Sequence, residues 1–223
     1  MTGKRVLVTG QVYHIFNKSI ANYKIFTNNS DYVRIRNSFQ FYKIDKVPFK
    51  LSKFLNREGM EENSFGKYFS AVVGNKDKLV QIIAYCVMQT HIHLILKQLK
   101  DDGITIFMGN LLNSYARYFN LKYKRKGPLW ESRFKDVLIE TDEQLLHFTR
   151  YIHLNPVTAY LVENAEDWVM SSYKEYLSAI DSDDQICEYK DVLDIKPSQY
   201  KEFVEDRIDY QRELAKIKKL LID

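Results

Sequence analysis

The sequence predicts an α+β domain, an antiparallel sheet with helices packed on one side, followed by a helical C-terminal extension. Three observations predict it. Two apolar, β-branched runs, 79–88 and 91–97, are separated only by the polar pair Gln89-Thr90 and read as a hairpin. A long segment, 104–125, carries apolar residues at helical spacing. Shorter strand and helix signals alternate around them. At 223 residues the chain has room for one domain with a sizeable core plus extensions.

The elements follow in order. Residues 5–17 are rich in β-branched and aromatic residues and predict a first strand. Val8-Thr9-Gly10 is followed by no GxGxxG, which excludes a dinucleotide-binding turn. Residues 29–43 predict a helix, with Asn29, Ser30 or Asp31 as caps. Residues 44–77 hold Pro48, Gly59, Gly66, Gly74 and many charges, and predict a loop-rich insertion with a short helix. In the 104–125 helix, Ile104, Phe107, Met108, Leu111, Leu112, Tyr115, Tyr118 and Phe119 form the apolar face, and Gly127-Pro128 stops it. Residues 134–139 predict a short strand. Thr141 or Asp142 caps a helix that runs to about Leu154 and ends at Asn155-Pro156. Residues 171–223 add two or three helices, among them 197–207 and 209–221. The domain proper is assigned to 1–177 and the extension to 178–223.

Composition narrows the function. Hydrophobic residues make up 45% and charged residues 28%, the balance of a soluble globular protein. No run reaches the roughly 18 apolar residues of a membrane span. No signal-peptide core occurs at the N-terminus. The two cysteines, Cys86 and Cys187, form no CxxC, so neither a zinc ribbon nor a disulfide framework is expected. A reducing cytoplasm is the expected compartment. Net charge is only +4, but Lys122-Tyr-Lys-Arg-Lys126 with Arg133 and Lys135 is a basic cluster that can hold phosphates or simply face solvent. Aromatics reach 14%, enough both to fill a core and to stack on unpaired bases.

Two constellations can carry chemistry. His91 and His93 stand two apart in a strand, so they share a face and can grip one divalent cation, or merely lie side by side on a half-exposed surface. Tyr151 and Asn155 stand four apart on a helix and also share a face. A tyrosine beside a metal site can act as a nucleophile, and an asparagine amide oxygen suits Mg²⁺ or Mn²⁺. In the other reading Tyr151 is a core aromatic and Asn155 a helix cap. His147, one turn before Tyr151, is a candidate supporting group, and His153 points roughly the other way. Tyr115 and Tyr118 are rival nucleophiles.

Five ordered segments are similar to one family. Tyr85-Cys-Val-Met-Gln-Thr-His-Ile-His-Leu-Ile-Leu96 resembles the His-hydrophobic-His strand of the HUH endonucleases. The version is that of REP-associated tyrosine transposases and the single-tyrosine transposases of bacterial insertion sequences. Tyr13-His-Ile-Phe-Asn17 resembles the family's first strand, and Ser114-Tyr-Ala-Arg-Tyr-Phe-Asn120 the helix after the histidines. Gly127-Pro-Leu-Trp-Glu-Ser-Arg-Phe-Lys135 and Arg150-Tyr-Ile-His-Leu-Asn-Pro-Val157, with Trp168 and Ser171-Ser-Tyr173, complete the set over roughly residues 10–177.

The resemblance implies a ferredoxin-like or RRM-like HUH fold and a metal-dependent, single-stranded DNA endonuclease and strand transferase acting beside hairpins. It implies His91 and His93 as ligands of Mg²⁺ or Mn²⁺, Asn155 as a third ligand, and Tyr151 as the nucleophile that forms a 5′-phosphotyrosine. Arg133 and Lys135 are the stronger DNA-backbone candidates, and Arg117, Lys122, Lys124, Arg125 and Lys126 the weaker ones. The partner is single-stranded or hairpin DNA, met at the nucleoid by a monomer or a homodimer. The alternative is a domesticated hairpin-binding protein without cleavage activity.

Overall fold

The structure, a computed structural model, describes residues 6–55, 65–74, 76–180 and 185–213. Strand β1 is Val12–Lys18, and helix α1 is Asn29–Tyr42. Two short helices follow, α2 at Leu51–Leu55 and α3 at Phe65–Val73. The hairpin strands are β2, Val80–Val87, and β3, His91–Gln98. Helix α4 is Gly103–Lys122, strand β4 is Lys135–Ile139, and helix α5 is Asp142–Thr158. Helices α6, Tyr173–Tyr176, and α7, Pro197–Glu205, complete the named elements.

The sheet is antiparallel throughout, in the order β2-β3-β1-β4. Because side chains alternate along a strand, register decides who shares a face. Phe16 pairs with His93, Lys18 with His91 and His14 with Ile95, so these side chains occupy one face. Leu94 and its partners Ile15 and Tyr85 occupy the other.

The antiparallel sheet with packed helices is as expected, but its helices divide between both faces rather than one. Helix α5 lies over the histidine face, where Phe148 and Tyr151 approach His14 at ring-centroid distances of 5.2 and 6.1 Å. Helices α1 and α4 cover the opposite face. Phe39 of α1 packs on Tyr85 at 5.5 Å, and the Gln98 side chain accepts the Ile104 N–H at the start of α4. That start is tight. A Cβ on Gly103 would collide with the Leu79 carbonyl, so only glycine fits there.

Several boundaries move for local reasons. The first strand begins at Val12, not at residue 5, because Gly10 turns the chain at φ +88°. Asn28 caps α1 by accepting the Asp31 N–H. Helix α4 ends at Lys122, and Lys124 already sits at φ +51° before Gly127 is reached. Helix α5 does not stop at Asn155-Pro156. Proline lies in its last turn and forfeits a single N–H bond there, and the helix runs on to Thr158.

Among its described residues the insertion contains two helices rather than one. Phe41, Ile44, Leu51, Phe54, Phe65, Phe69 and Val73 close into a small apolar cluster separate from the main core. Residues beyond the tyrosine helix join the main core instead. Tyr189 stacks on Tyr176 at 3.9 Å, and Tyr200 and Val204 are fully buried. The free edge of β2 is covered by backbone bonds from Val87 to Met170, Ser172 to Tyr85 and Glu188 to Ile82. Covering an edge strand removes a template for aggregation. The expected helix over 209–221 is described only as helical residues 208–213, and its remainder lies outside the described residues.

Candidate active site

The site is built where β1, β3 and α5 meet. His93 is 7% exposed and sits beside His14, with His14 Nε2 and His93 Nδ1 2.9 Å apart. His91 sits one pair along the strand, and Thr90 Oγ1 lies 2.9 Å from its Nδ1. In each histidine of the pair, therefore, Nδ1 is engaged and Nε2 is left over. A hydrogen bond on one ring nitrogen fixes the tautomer and aims the other, the usual arrangement behind a metal-binding imidazole.

Burial sets the charge of this cluster. It lowers His14 to about 4. It lowers His91 to about 4 as well, assisted by nearby Lys18. Burial and then the two neighbouring histidines hold His93 well below its ordinary value. All three imidazoles are neutral at neutral pH, the form in which a histidine can ligate a cation.

Tyr151 comes down from α5 onto this cluster. Its ring meets His93 edge-on at 5.9 Å, and 42% of the residue remains exposed. Burial, then the nearby Cys86, raises its phenol above the ordinary value, so it is protonated at neutral pH. His91, His93, Tyr151 and Lys135 line one cleft of about 320 Å³, with Thr90, Lys18 and Glu131 at its margin. The cleft has room for a phosphate group and keeps a cation, Lys135, within it. Lys18 pairs with Glu131 at 3.2 Å, and both are about half exposed. Such a surface pair contributes ~0–1 kcal/mol, so Lys18 is readily released to an anion.

Asn155 lies one turn beyond Tyr151. Its side-chain nitrogen is buried without a hydrogen-bond partner. It is not among the residues lining the cleft. Two neutral imidazoles on one cleft are a donor set that could hold a divalent cation such as Mg²⁺ or Mn²⁺. Among the described residues no group of three or more His, Cys, Asp or Glu side chains converges as a metal cluster.

The other sequence candidates fall elsewhere. Tyr115 is fully buried and its hydroxyl donates to the Ile25 carbonyl at 2.6 Å. Tyr118 donates to Asp31 at 3.2 Å. Both belong to α4, on the face opposite the histidines. His147 faces α7, with Arg150 at 2.7 Å and Phe203 at 5.7 Å. His153 is buried between Tyr200 and Ser172.

The basic residues separate as well. Lys122 forms a 2.7 Å ion pair with the fully buried Asp31 and also bonds Asn28 and Ser30. Burial would raise the Asp31 carboxyl, but Lys122, Thr27 and Tyr123 hold it below its ordinary value. The charge of Lys122 is therefore committed to closing α1 against α4. Arg125 binds Asn120 and the Gly127 carbonyl. Lys124, Lys126 and Arg133 are exposed, and Arg117 lines a different groove.

Sequence reasoning missed His14, Asn17 and Lys18. All three sat in or beside the Tyr13–Asn17 motif, but only the β1–β3 register reveals that His14 and Lys18 share the face of the histidine pair, whereas Asn17 pairs with Ile92 on the other. Asn17 has a structural task there. Its amide donates to the Ser132 and Arg133 carbonyls at 3.1 and 2.8 Å, which holds the approach to β4 and so places Lys135.

The family model described as "Transposase IS200 like" matches residues 47–155, a span that contains His91, His93, Tyr151 and Asn155. A curated Haemophilus influenzae protein, provisionally named a REP-associated tyrosine transposase, is 32% identical over 110 residues, 44% of this chain. The chain spans 62% of the length of that relative. A solved structure of a REP-associated tyrosine transposase bound to a REP hairpin superposes with a TM-score of 0.53 at 16% identity. That match covers 87% of this chain and 98% of the other, and it shows a shared fold. No helix among the described residues is long and apolar enough to cross a membrane.

Proposed function

We propose that the chain is a relative of the IS200-like, REP-associated tyrosine transposases to which it is similar, and that it cuts single-stranded DNA beside a hairpin and rejoins it, with Tyr151 as nucleophile. The observation that carries the proposal is the edge-on seat of Tyr151 against His93, in the cleft that also holds His91 and Lys135. The hairpin is proposed because the structural relative is described in complex with one.

His91 and His93, with Asn155 as third donor, would hold Mg²⁺ or Mn²⁺. When bound, such an ion supplies positive charge to the phosphate and raises the electrophilicity of phosphorus. The protein's own groups do the rest. Lys135, with Lys18 released from Glu131, binds the phosphodiester and positions it without reading sequence. The Tyr151 oxygen attacks phosphorus, and its proton leaves to solvent through the open side of the cleft. A phosphorus–tyrosine bond forms as the phosphorus–O3′ bond breaks. The departing oxygen takes a proton and becomes a 3′-hydroxyl, and the other fragment stays attached as a 5′-phosphotyrosine. Attack by a new 3′-hydroxyl reverses the chemistry and conserves the bond, so no nucleotide cofactor is needed.

The test is a denaturing-gel assay with a labelled hairpin carrying a single-stranded flank, with Mn²⁺ present. A covalent adduct with the wild type that is lost in Tyr151→Phe is expected. An adduct that survives Tyr151→Phe overturns the assignment. Tight, metal-independent binding without any adduct would favour the non-cleaving hairpin binder.

A further inference from the structure

A groove of about 1,490 Å³ lies on the far side of the sheet from Tyr151. It runs between α1, α4 and the helices of the insertion. Its floor carries an electrostatic anomaly. Arg34 of α1 is largely buried, its Nη2 donates to Ser114 at 3.1 Å, and its buried Nε has no partner. Burial lowers its guanidinium from the ordinary value, neighbouring Arg117 pushes the same way, and only tyrosines oppose them. Among the described residues no carboxylate is hydrogen-bonded or ion-paired to it. Asp31, the single acid within α1, is spent on Lys122. A desolvated guanidinium without an anion is costly, and a bound anion offsets that cost.

The surroundings suit a polyanion. Asn110, Asn113 and Arg117 form an exposed stripe on α4, at helical spacing, facing Asn37 and Arg34 across the groove. Lys46 and Lys50 stand on the opposite wall, and the one acid of the lining among the described residues, Asp45, is neutralised by Lys100 at 2.8 Å. Tyr118 offers an aromatic face, with Arg34 5.4 Å from its ring centre. The groove exceeds the roughly 300–1,000 Å³ of small-ligand pockets, which points to a segment of polymer.

We propose that this groove is a second nucleic-acid site, with Arg34 and Arg117 binding the phosphodiester backbone of a DNA segment remote from the cut. The inference rests on the transposase reading for the identity of the polymer. Asn110 and Asn113 present amides to base edges, and the far-face position separates this anchor from the phosphate that Tyr151 attacks. It is a binding site and takes no part in bond breaking.

The test is fluorescence anisotropy of a fluorescein-labelled hairpin with a single-stranded flank, in EDTA, over a salt series. Arg117→Gln is a surface change that leaves the fold intact, and Arg34→Gln is checked by circular dichroism. Each is expected to weaken binding severalfold and the pair about tenfold or more, with the log–log salt slope falling by ~0.7–0.9 per arginine. Unchanged affinity and slope in Arg117→Gln and in a folded Arg34→Gln would overturn the site. So would equal sensitivity of an acidic polypeptide with none for DNA. The adduct assay on the same DNA reads Tyr151 separately. Loss of the Arg34 effect with a Tyr151-dependent adduct retained defeats only the groove, whereas an intact Arg34 effect with a Tyr151-independent adduct defeats only the nucleophile.

Discussion

Replacing His153 with glutamine converts a buried titrating group into one that cannot titrate, and the consequence is a change in how stability depends on pH. His153 is 0% exposed. Tyr200 lies 2.7 Å from its Nδ1 and Ser172 2.8 Å from its Nε2. One proton assignment satisfies both contacts, with the Tyr200 hydroxyl donating to Nδ1 and Nε2–H donating to the serine oxygen. That arrangement requires a neutral ring. Burial lowers its value from 6.5 to about 3. Below pH 6.5 the unfolded chain therefore binds a proton that the folded chain refuses. The stabilisation is complete above 6.5 and is lost as pH falls toward the folded value. The loss is roughly 1.4 kcal/mol per pH unit, so between neutrality and about pH 5 it sums to ~2 kcal/mol. At neutral pH the glutamine variant is less stable by ~1–3 kcal/mol, because the tyrosines around the ring lose packing and a partner. The gap between the two proteins should then shrink by ~2 kcal/mol on acidification. Urea unfolding at pH 7 and pH 5, followed by circular dichroism, measures it. The remaining histidines titrate alike in both proteins and drop out of the difference. Stability curves that run parallel across this interval would refute the buried-neutral assignment.

Further outcomes follow from other contacts. His14→Phe keeps an aromatic ring against Phe16 and Phe148 but removes the partner of His93 Nδ1, so Mn²⁺ affinity by calorimetry should fall ~10–100-fold. Unchanged affinity would show that His93 is oriented without it. Lys122→Met leaves the fully buried Asp31 without its cation and should cost ~3–5 kcal/mol in chemical unfolding. A cost under ~1 kcal/mol, the range of exposed pairs, would return Lys122 to the surface lysines proposed to meet DNA. Gly103→Ala forces a methyl into the Leu79 carbonyl and should lower stability by ~1–3 kcal/mol, against the small gain that alanine gives at an open helical site.

The parts of this fold that were legible in the sequence are those with strong local periodicity. The β2–β3 hairpin, the apolar face of α4 and the start of β4 are written in consecutive residues. The missed features depend on pairing between distant segments. His14 looks like any histidine in a strand until the β1–β3 register sets it beside His93. Lys122 looks like part of a basic run until Asp31, far away in the chain, claims its charge. The insertion looks loop-rich because its prolines, glycines and charges dominate the local signal. Its phenylalanines are too widely spaced for a periodic pattern, yet they meet in three dimensions. Pro156 misled in the opposite direction, since proline ends helices in general but costs little in a last turn that the core already holds.

Helix α5 explains how an exposed tyrosine can be held so definitely. Its two sides have opposite duties. Ile152, His153, Leu154 and Val157 are buried, and Arg150 is 8% exposed and bonds the Phe203 carbonyl of α7. Those residues anchor the helix to β2 and to the chain beyond residue 170. Tyr151, between the anchors, faces the other way and is left 42% exposed over the histidines. A tyrosine on a loop would spend entropy to find that position at each turnover, whereas one fixed by its neighbours arrives pre-oriented. The tyrosine cluster of Tyr173, Tyr176 and Tyr200 around His153 is therefore tied to the site through one rigid helix. Loosening that cluster should move the Tyr151 ring off His93 before it unfolds the domain.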